Sequence, residues 1–204
     1  MVPRVEVKWD RDFNCYDFMI KDLEATVADY EECLLRMFAS TEAKRGYAPS
    51  CAGCSFCCRG RLPLTHIDVL RFQSGGIGAG LGWKDWVEQY AVVEELGECL
   101  DITLRLGPEG ICLFWDQESG LCKVYPLRPL ICRTYICWPV SRRAEQLRSR
   151  IVNAGEDELV RLYLSHTGGP SGPEGPFTGK RAYQEILLRE LCSRRLLHAL
   201  ALLE

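Results

Sequence analysis

The stretch Cys51-Ala-Gly-Cys54-Ser-Phe-Cys57-Cys58 places four cysteines within eight residues. A second cysteine series follows at Cys112, Cys122, Cys132 and Cys137. A Cys-x2-Cys turn directs two thiolates at one metal, and metal–sulfur distances of about 2.3 Å let them take two tetrahedral positions. Two overlapping turns, Cys51/Cys54 and Cys54/Cys57, are typical of the runs that hold cubane iron–sulfur clusters. We therefore predict that the two series close on each other around metal, either zinc or an iron–sulfur cluster.

The adjacent pair Cys57 and Cys58 limits how the metal is held. Side chains of neighbouring residues are expected to diverge, so these two should not bind one mononuclear tetrahedral ion together. They suit two metals, or different corners of a larger cluster. Two groups of four cysteines would suit two four-sulfur sites built by both segments, and we expect no metal to be held by residues 51–58 alone. The successive two-residue gaps favour iron slightly over zinc.

The cysteine content also raises the question of disulfides. The chain has 204 residues and 12 cysteines, which in a small secreted protein would indicate a disulfide framework. The first residues, Met1–Asp10, show no apolar run and no small-residue cleavage site of a secretion signal. No stretch has the roughly 18 apolar residues of a membrane span. We therefore expect a cytoplasmic protein with reduced thiols and no membrane partner.

Charge supports thiolate chemistry rather than nucleic-acid binding. The net charge of −3 and the pI of about 5.7 argue against nucleic acid as a partner of the whole chain. Four arginines flank the cysteines in sequence and could offset the negative charge of a thiolate site: Arg59, Arg61, Arg128 and Arg133.

We interpret the other cysteines and the nearest histidine, His66, as structural residues rather than metal ligands. Cys33 lies within a helical pattern and is expected to be a small buried apolar residue. Three further cysteines are isolated and are predicted to be structural: Cys15, Cys99 and Cys192. His66 follows Cys58 by eight positions and could be a ligand, but a surface or capping role is the favoured interpretation.

The sequence before the first cysteine series predicts a strand and a helix. Residues 1–16 form an arm in which apolar and charged residues alternate, as in a short edge strand. From Asp17 to about Lys44 the apolar residues recur at helical spacing. Gly46 and Pro49 are expected to stop this helix just before the cysteines.

Two helices joined by glycines are predicted after the first series. Thr65 is a plausible N-cap, and Asp68 completes a variant of the capping box. The glycine-rich residues 74–82 contain Gly-x-Gly spacings, but a helix precedes them and no Lys-Ser/Thr follows. They therefore indicate a connector rather than a phosphate loop. The second helix is predicted over Trp83–Leu96, with Gly97 ending it.

The second cysteine series begins within a predicted small β-meander at residues 101–125. Turns at Gly107–Gly110 and Asp116–Gly120 separate its three strands. A hairpin at the second turn would bring Cys112 and Cys122 close together.

The rest of the chain predicts helices at 141–150 and 156–166, a Gly/Pro linker at 167–179 and a final amphipathic helix at 180–204. The final helix packs back on the domain or pairs with a protein partner. The predicted division is a 1–47 arm and helix, a 48–140 eight-cysteine metal-binding domain and a 141–204 helical extension. The fold class is α+β, mostly helical, with the small β-meander and cysteine-rich metal-binding loops packed against helices.

A longer pattern extends both cysteine series. It reads Cys51-x2-Cys54-x2-Cys57-Cys58, then Gly110-Ile-Cys112-Leu-Phe-x-Asp116-x3-Gly120-x-Cys122-x-Val-Tyr125-x2-Arg128-Pro129-x2-Cys132-Arg133-x-Tyr135. This pattern resembles the CxxCxxCC, or YkgJ-type, cysteine cluster family over roughly residues 48–140. The resemblance implies a zinc- or iron-chelating domain with eight cysteines, and it leaves the metal open.

Some longer relatives in that family are flagellin lysine N-methylases, which implies one enzymatic direction. This chain is shorter, and it has neither a separate S-adenosylmethionine motif nor the Cys-x3-Cys-x2-Cys spacing of radical enzymes. The sequence therefore supports a metal-binding protein first. The alternative is an iron–sulfur-dependent enzyme, either an oxidoreductase or a protein lysine N-methylase-like enzyme.

Overall fold

The computed structural model describes residues 2–39, 54–97 and 99–201. The predictions for Gly46, Pro49 and Cys51 concern positions outside the described residues. The chain forms two compact units. The first comprises Met1–Pro49, Ile136–Ile151 and Gly179–Glu204, and the second comprises Ser50–Tyr135 and Val152–Thr178. The predicted boundaries at 47/48 and 140/141 stay predictions.

Helices and three small antiparallel sheets of two strands make up the described chain. The predicted α+β, mostly helical class is therefore confirmed. No helix in the described ranges combines the length and the apolar character needed to cross a membrane.

The first unit begins with a hairpin of β1 (Val5–Asp10) and β2 (Cys15–Ile20). The predicted edge strand is thus present, but the helix predicted from Asp17 is wrong at its start, because residues 15–20 pair with β1. The helix α1 (Val27–Ala39) begins later, after Thr26. The Thr26 hydroxyl accepts from the Asp29 N–H at 3.2 Å, and the Asp29 carboxylate accepts from the Thr26 N–H at 2.8 Å. This capping pair fixes the helix start.

The C-terminal residues complete the first unit as two short helices rather than the single helix predicted. They are α6 (Leu188–Leu191) and α7 (Arg194–Leu200). Leu187 forms an antiparallel bridge with Thr26, which requires extended backbone, and the Ser193 side chain caps α7. The leucines that make this segment amphipathic are buried inside the unit: Leu188, Leu191, Leu196 and Leu200. The segment therefore packs on its own chain.

The second unit contains α2 (His66–Ser74) and α3 (Trp83–Tyr90). The predicted cap of α2 is confirmed, since the Thr65 side chain accepts from the Asp68 N–H and the Asp68 side chain accepts from the Thr65 N–H. The glycine-rich connector packs closely at Gly78, where a Cβ would lie 2.5 Å from the ring of the buried Trp86. These residues therefore connect α2 to α3, with Gly78 packed against Trp86.

The helix predicted over Trp83–Leu96 ends early, at Tyr90. The following residues form β3 (Ala91–Leu96), which pairs antiparallel with β4 (Cys99–Leu104). The β-branched Val92 and Val93 lie opposite Thr103 and Ile102. Such cross-strand pairs favour the extended chain over a helix.

The predicted β-meander is resolved into separate hairpins. β4 pairs with β3, and a second hairpin joins β5 (Trp115–Asp116) to β6 (Leu121–Cys122). Of the strand predicted over Ile111–Trp115, only Trp115 lies in β5. A short helix, α4 (Leu130–Arg133), follows and carries Cys132.

The long helix α5 (Arg142–Thr167) replaces the two helices predicted at 141–150 and 156–166. Gly155 lies within it rather than at a break. A Cβ on Gly155 would meet the Thr65 Cγ2 at 2.4 Å and the Phe177 ring at 3.0 Å. The glycine is needed for this close approach, since Thr65 and Phe177 are both fully buried.

Replacing Gly155 with alanine tests this packing. In an open helix the change would add about 1 kcal/mol of helix propensity, but here we expect a net loss of roughly 1–3 kcal/mol from overpacking. Chemical denaturation of the variant and the parent measures the difference. The control is Asn153→Ala, an exposed position of the same helix, which should be neutral or slightly stabilising. A stabilised Gly155→Ala variant would contradict the packing described above.

Candidate metal centre

The first cysteine series enters the second unit as a tight turn. Cys57 and Cys58 lie in a short 3-10 turn, Phe56–Cys58, closed by a 3.0 Å hydrogen bond from the Cys58 N–H to the Ser55 carbonyl. Gly60 follows in the left-handed region, with φ of +79°. That backbone angle lets the chain leave the turn towards the core.

One backbone hydrogen bond joins the two cysteine series. The N–H of Cys112 donates to the carbonyl of Cys58 at 2.8 Å. The neighbouring residues Arg59 and Ile111 form an antiparallel bridge. The two series are therefore in direct contact, as the sequence predicted, although the Cys112 segment is not a regular strand.

The β5–β6 hairpin positions Cys122. It lies opposite Trp115 in the ladder, and the Trp115 N–H donates to the Cys112 carbonyl at 2.9 Å. The turn contains Gly120 in the left-handed region, with φ of +64°. This arrangement brings Cys112 and Cys122 to the same place, as predicted for the second turn.

Six cysteines of the second unit line a common cavity of about 350 Å³. Six of the eight predicted ligands line it: Cys54, Cys57, Cys58, Cys112, Cys122 and Cys132. The remaining wall is mainly apolar and aromatic, with Phe114, Trp115 and Tyr125, and it includes Arg128. Of the other two predicted ligands, Cys137 is an exposed residue of the first unit, and Cys51 lies outside the described residues.

The adjacent thiols do not diverge as expected. Cys57 and Cys58 both line the cavity, and a hydrogen bond between them, with burial next, raises the pKa of the Cys58 thiol. A 3-10 turn brings successive side chains to one side more closely than an extended chain does. Divergence of the two side chains is therefore no reason to assign Cys57 and Cys58 to separate sites.

The thiols around the cavity disfavour one another's ionisation. Burial, with the proximity of Cys122 and Cys57 as smaller contributions, raises the pKa of Cys112 to about 11. Burial and the nearby Cys112 and Cys57 raise the pKa of Cys132 as well. These groups are therefore protonated thiols at neutral pH unless a cation is present. A metal supplies such a charge, and soft thiolates are the donors that zinc and iron–sulfur clusters prefer.

The thiols surround a space rather than a point. Within the described ranges, no three His, Cys, Asp or Glu side chains are placed so as to hold a single metal ion. The described cysteines are also not joined in disulfides. The donor set thus fits a thiolate-bound metal group in its chemistry.

Of the four flanking arginines, Arg128 best matches the predicted role of offsetting the negative charge of a thiolate site. It lines the cavity, its guanidinium lies 3.8 Å from the centre of the Tyr125 ring, and its charge partly offsets the rise that burial causes in the pKa of Cys132. Arg59 donates to the Glu109 carbonyl at 3.3 Å. The prediction for Arg61 is wrong, because its guanidinium engages two carboxylates instead of the cysteines.

Arg61 holds Asp101 and Glu156 in a shared ionic group. Its Nη2 donates to both carboxylates at 2.6 Å, and its Nε donates to Asp101 at 2.8 Å. The Ile102 N–H also donates to Glu156 at 3.3 Å. The hydrogen bond from Arg61 holds the pKa of Asp101 below its ordinary value, whereas burial and the hydrogen bond with Asp101 raise the pKa of Glu156 to about 8. This group links the chain after Cys58 to β4 and α5.

The remaining cysteines stay away from the cavity wall. Cys15 and Cys33 are buried, which agrees with the structural role predicted for them, whereas Cys99 is exposed. His66 is the first residue of α2 and is buried with its ring 6.0 Å from that of Phe177. Of the surface or capping role that was favoured, the surface role is therefore wrong, and His66 does not line the cavity.

These features define a cysteine-lined, metal-chelating module in an α+β chain. The sequence profile of the CxxCxxCC family, described as "Putative zinc- or iron-chelating domain", matches residues 50–153. The match covers half of the chain, and the chain belongs to this family. It binds metal as a zinc- or iron-chelating protein. No curated protein and no solved structure matches the chain.

The raised pKa of Glu156 predicts a pH dependence of stability. A carboxyl whose folded pKa exceeds its unfolded value of about 4.3 stabilises the fold fully below that value, and this contribution is lost as pH rises through about 8. Gln cannot ionise. The free energy of unfolding of Glu156→Gln, relative to that of the parent, should therefore rise by roughly 1–2 kcal/mol from about pH 6 to about pH 9. Urea denaturation at both pH values measures this.

Glu158→Gln is the matched control, two residues along the same helix. Burial alone would raise the pKa of Glu158, but hydrogen bonds from Arg161 and Thr178 outweigh it and lower the pKa. Glu158 is therefore ionised throughout the range, and its variant should differ from the parent by a constant amount. Equal pH profiles for the two variants would contradict the assignment.

Proposed function

We propose that this protein is a cytoplasmic metal-binding protein whose eight cysteines hold an iron–sulfur cluster, zinc or both, with four of the thiolates on a cluster of the cubane 4Fe–4S type. The set comprises Cys51, Cys54, Cys57, Cys58, Cys112, Cys122, Cys132 and Cys137. One observation carries the proposal. Six of these cysteines, drawn from both series, line a single cavity of about 350 Å³.

The size and openness of the site favour a cluster over a single zinc ion. A structural zinc site is closed, with four ligands at about 2.0–2.3 Å from the metal. The described thiols instead surround a volume, and no three of them converge on one ion. Cys57 and Cys58 face the same volume, which suits neighbouring corners of a larger group.

The wall of the cavity suits a group of negative charge. Thiolates around a cluster leave net negative charge, and Arg128 contributes a cation to the wall. The apolar remainder of the wall lowers the local dielectric constant, which strengthens that electrostatic interaction. When bound, a cluster of this type supplies one-electron redox chemistry.

Anaerobic purification followed by iron, zinc and acid-labile sulfide analysis tests the proposal. We expect iron and sulfide in equal amounts, with a visible thiolate-to-iron absorption band. Cys112→Ser should lower the iron content several-fold, because this residue both lines the cavity and contacts the other series. Cys99→Ser is the matched control at an exposed cysteine and should retain full metal content.

Three results would decide against parts of the proposal. Zinc without sulfide would replace the cluster with a zinc site. Equal iron in the Cys112→Ser and Cys99→Ser variants would remove the cavity from metal binding. A folded, metal-free protein that chelators do not affect would reject metal binding altogether.

The shape of the cavity favours a second candidate, an iron–sulfur-dependent enzyme. Pockets for small molecules are concave, mostly apolar and carry few polar groups. Phe114, Tyr125 and Arg128 give this cavity that character beside the cysteines. An oxidoreductase or a protein lysine N-methylase-like enzyme would place its substrate there.

An enzyme of this kind needs an open coordination position, whereas a purely structural site is closed. The metal-loaded protein is therefore titrated with cyanide as a small exogenous ligand, and the absorption and electron paramagnetic resonance spectra are recorded. A saturable spectral change is expected for the enzyme. Unchanged spectra at saturating cyanide would leave the metal-binding role and reject the enzymatic one.

A further inference from the structure

Asp68 carries a fully buried carboxylate that caps the N-terminus of α2. It is the third residue of α2, and its Oδ2 accepts from the Thr65 N–H and from the Thr65 hydroxyl, both at 3.0 Å. These contacts complete the capping box of α2. They account for one of its two carboxylate oxygens.

The other carboxylate oxygen of Asp68 bonds to the helix that carries Cys132, in the second cysteine series. Asp68 Oδ1 accepts from the N–H of Leu130 at 2.8 Å, across 62 positions of the chain. Leu130 is the first residue of α4, and the preceding Pro129 has neither an N–H nor a capping side chain. Asp68 therefore supplies a cap that α4 cannot supply from its own sequence.

Cys132 lies two residues after Leu130 on this helix of four residues. A helix so short is not stable by itself, so its place depends on its contacts with the rest of the unit. Arg133, at its last position, lies with Nη2 3.7 Å from Asp68 Oδ1, and its Nε donates to the Arg128 carbonyl at 2.7 Å. The carboxylate is thus at the centre of the contacts that hold the Cys132 segment.

We propose that Asp68 is a positioning residue of the metal centre, which holds Cys132 in place by capping α2 and α4 with one carboxylate. The inference rests on the proposed function, in that Cys132 is taken as a ligand. Burying a carboxylate is costly unless it is well hydrogen-bonded. A residue that only capped α2 would need neither the burial nor the second oxygen, since surface residues cap helices equally well.

Two variants separate the two caps. Asp68→Glu retains the charge and the usual capping-box residue of α2, but its extra methylene moves the carboxylate away from its place against Leu130. Thr65→Val does the opposite, because it removes the hydroxyl of the α2 cap and leaves the Leu130 contact intact. Each variant is purified with metal, and the rate of metal release to a chelator is measured together with the visible circular dichroism of the bound metal.

We expect Asp68→Glu to release metal about 10–100-fold faster than the parent and to change the dichroism spectrum, as for residues that orient metal ligands. Thr65→Val should lower the thermal midpoint, while its release rate stays within about twofold of the parent. The same measurements on Asp68→Asn, which cannot accept at both oxygens, serve if the Glu variant does not fold.

A double-mutant cycle with Cys132→Ser identifies the route of the effect. If Asp68 acts through Cys132, adding Asp68→Glu to Cys132→Ser should change the release rate by less than about twofold. Full additivity of the two substitutions would overturn the inference, and so would parent-like release from Asp68→Glu. Absence of metal from the parent protein would instead refute the proposed function, which keeps the two failures distinct.

Discussion

The hydrogen bond from the Cys112 N–H to the Cys58 carbonyl, at 2.8 Å, is the contact that brings the two cysteine series together. The chain on either side extends the contact into the core. After Cys58 it runs beside β4, with the Leu104 N–H donating to the Leu62 carbonyl at 2.8 Å and the Leu64 N–H donating to the Ile102 carbonyl at 3.1 Å. Leu62, Leu64, Ile102 and Leu104 are all buried. The position of the cysteines is therefore tied to the hydrophobic core, although the cysteine segments contain little regular structure.

The proximity of the two cysteine series affects the ionisation of their thiols. Thiols that share a mostly apolar cavity cannot readily ionise together, and the pKa values of Cys58, Cys112 and Cys132 are all raised. A bound metal reverses this tendency, since it holds its ligands as thiolates. Folding brings the cysteines together, and the metal makes that arrangement electrostatically favourable. Metal binding and the order of this part of the chain should therefore be coupled.

The sequence predicted the features that local signals encode. The Thr65–Asp68 capping box, the turn before Cys122 and the burial of Cys33 each follow from a few neighbouring residues. The predictions that failed concern segments whose structure is decided by contacts with residues distant in the sequence. Helical spacing over residues 83–96 did not reveal that Val92 and Val93 pair with β4. The two helices predicted at 141–150 and 156–166 are one helix, in which the missing Cβ of Gly155 admits Thr65 from elsewhere in the chain.

The same limit applies to the centre. The two cysteine series identified the six described thiols that line the cavity, but no local signal connected Asp68 with Leu130 or Arg61 with Glu156. These carboxylate links join segments that are distant in the sequence. Buried ionic groups of this kind add little net stability, because desolvation offsets their attraction. Their directional hydrogen bonds do restrict geometry, and geometry is what a metal centre requires of its ligands. The buried carboxylates of the second unit are therefore better explained by the placement of the cysteines than by the stability of the core.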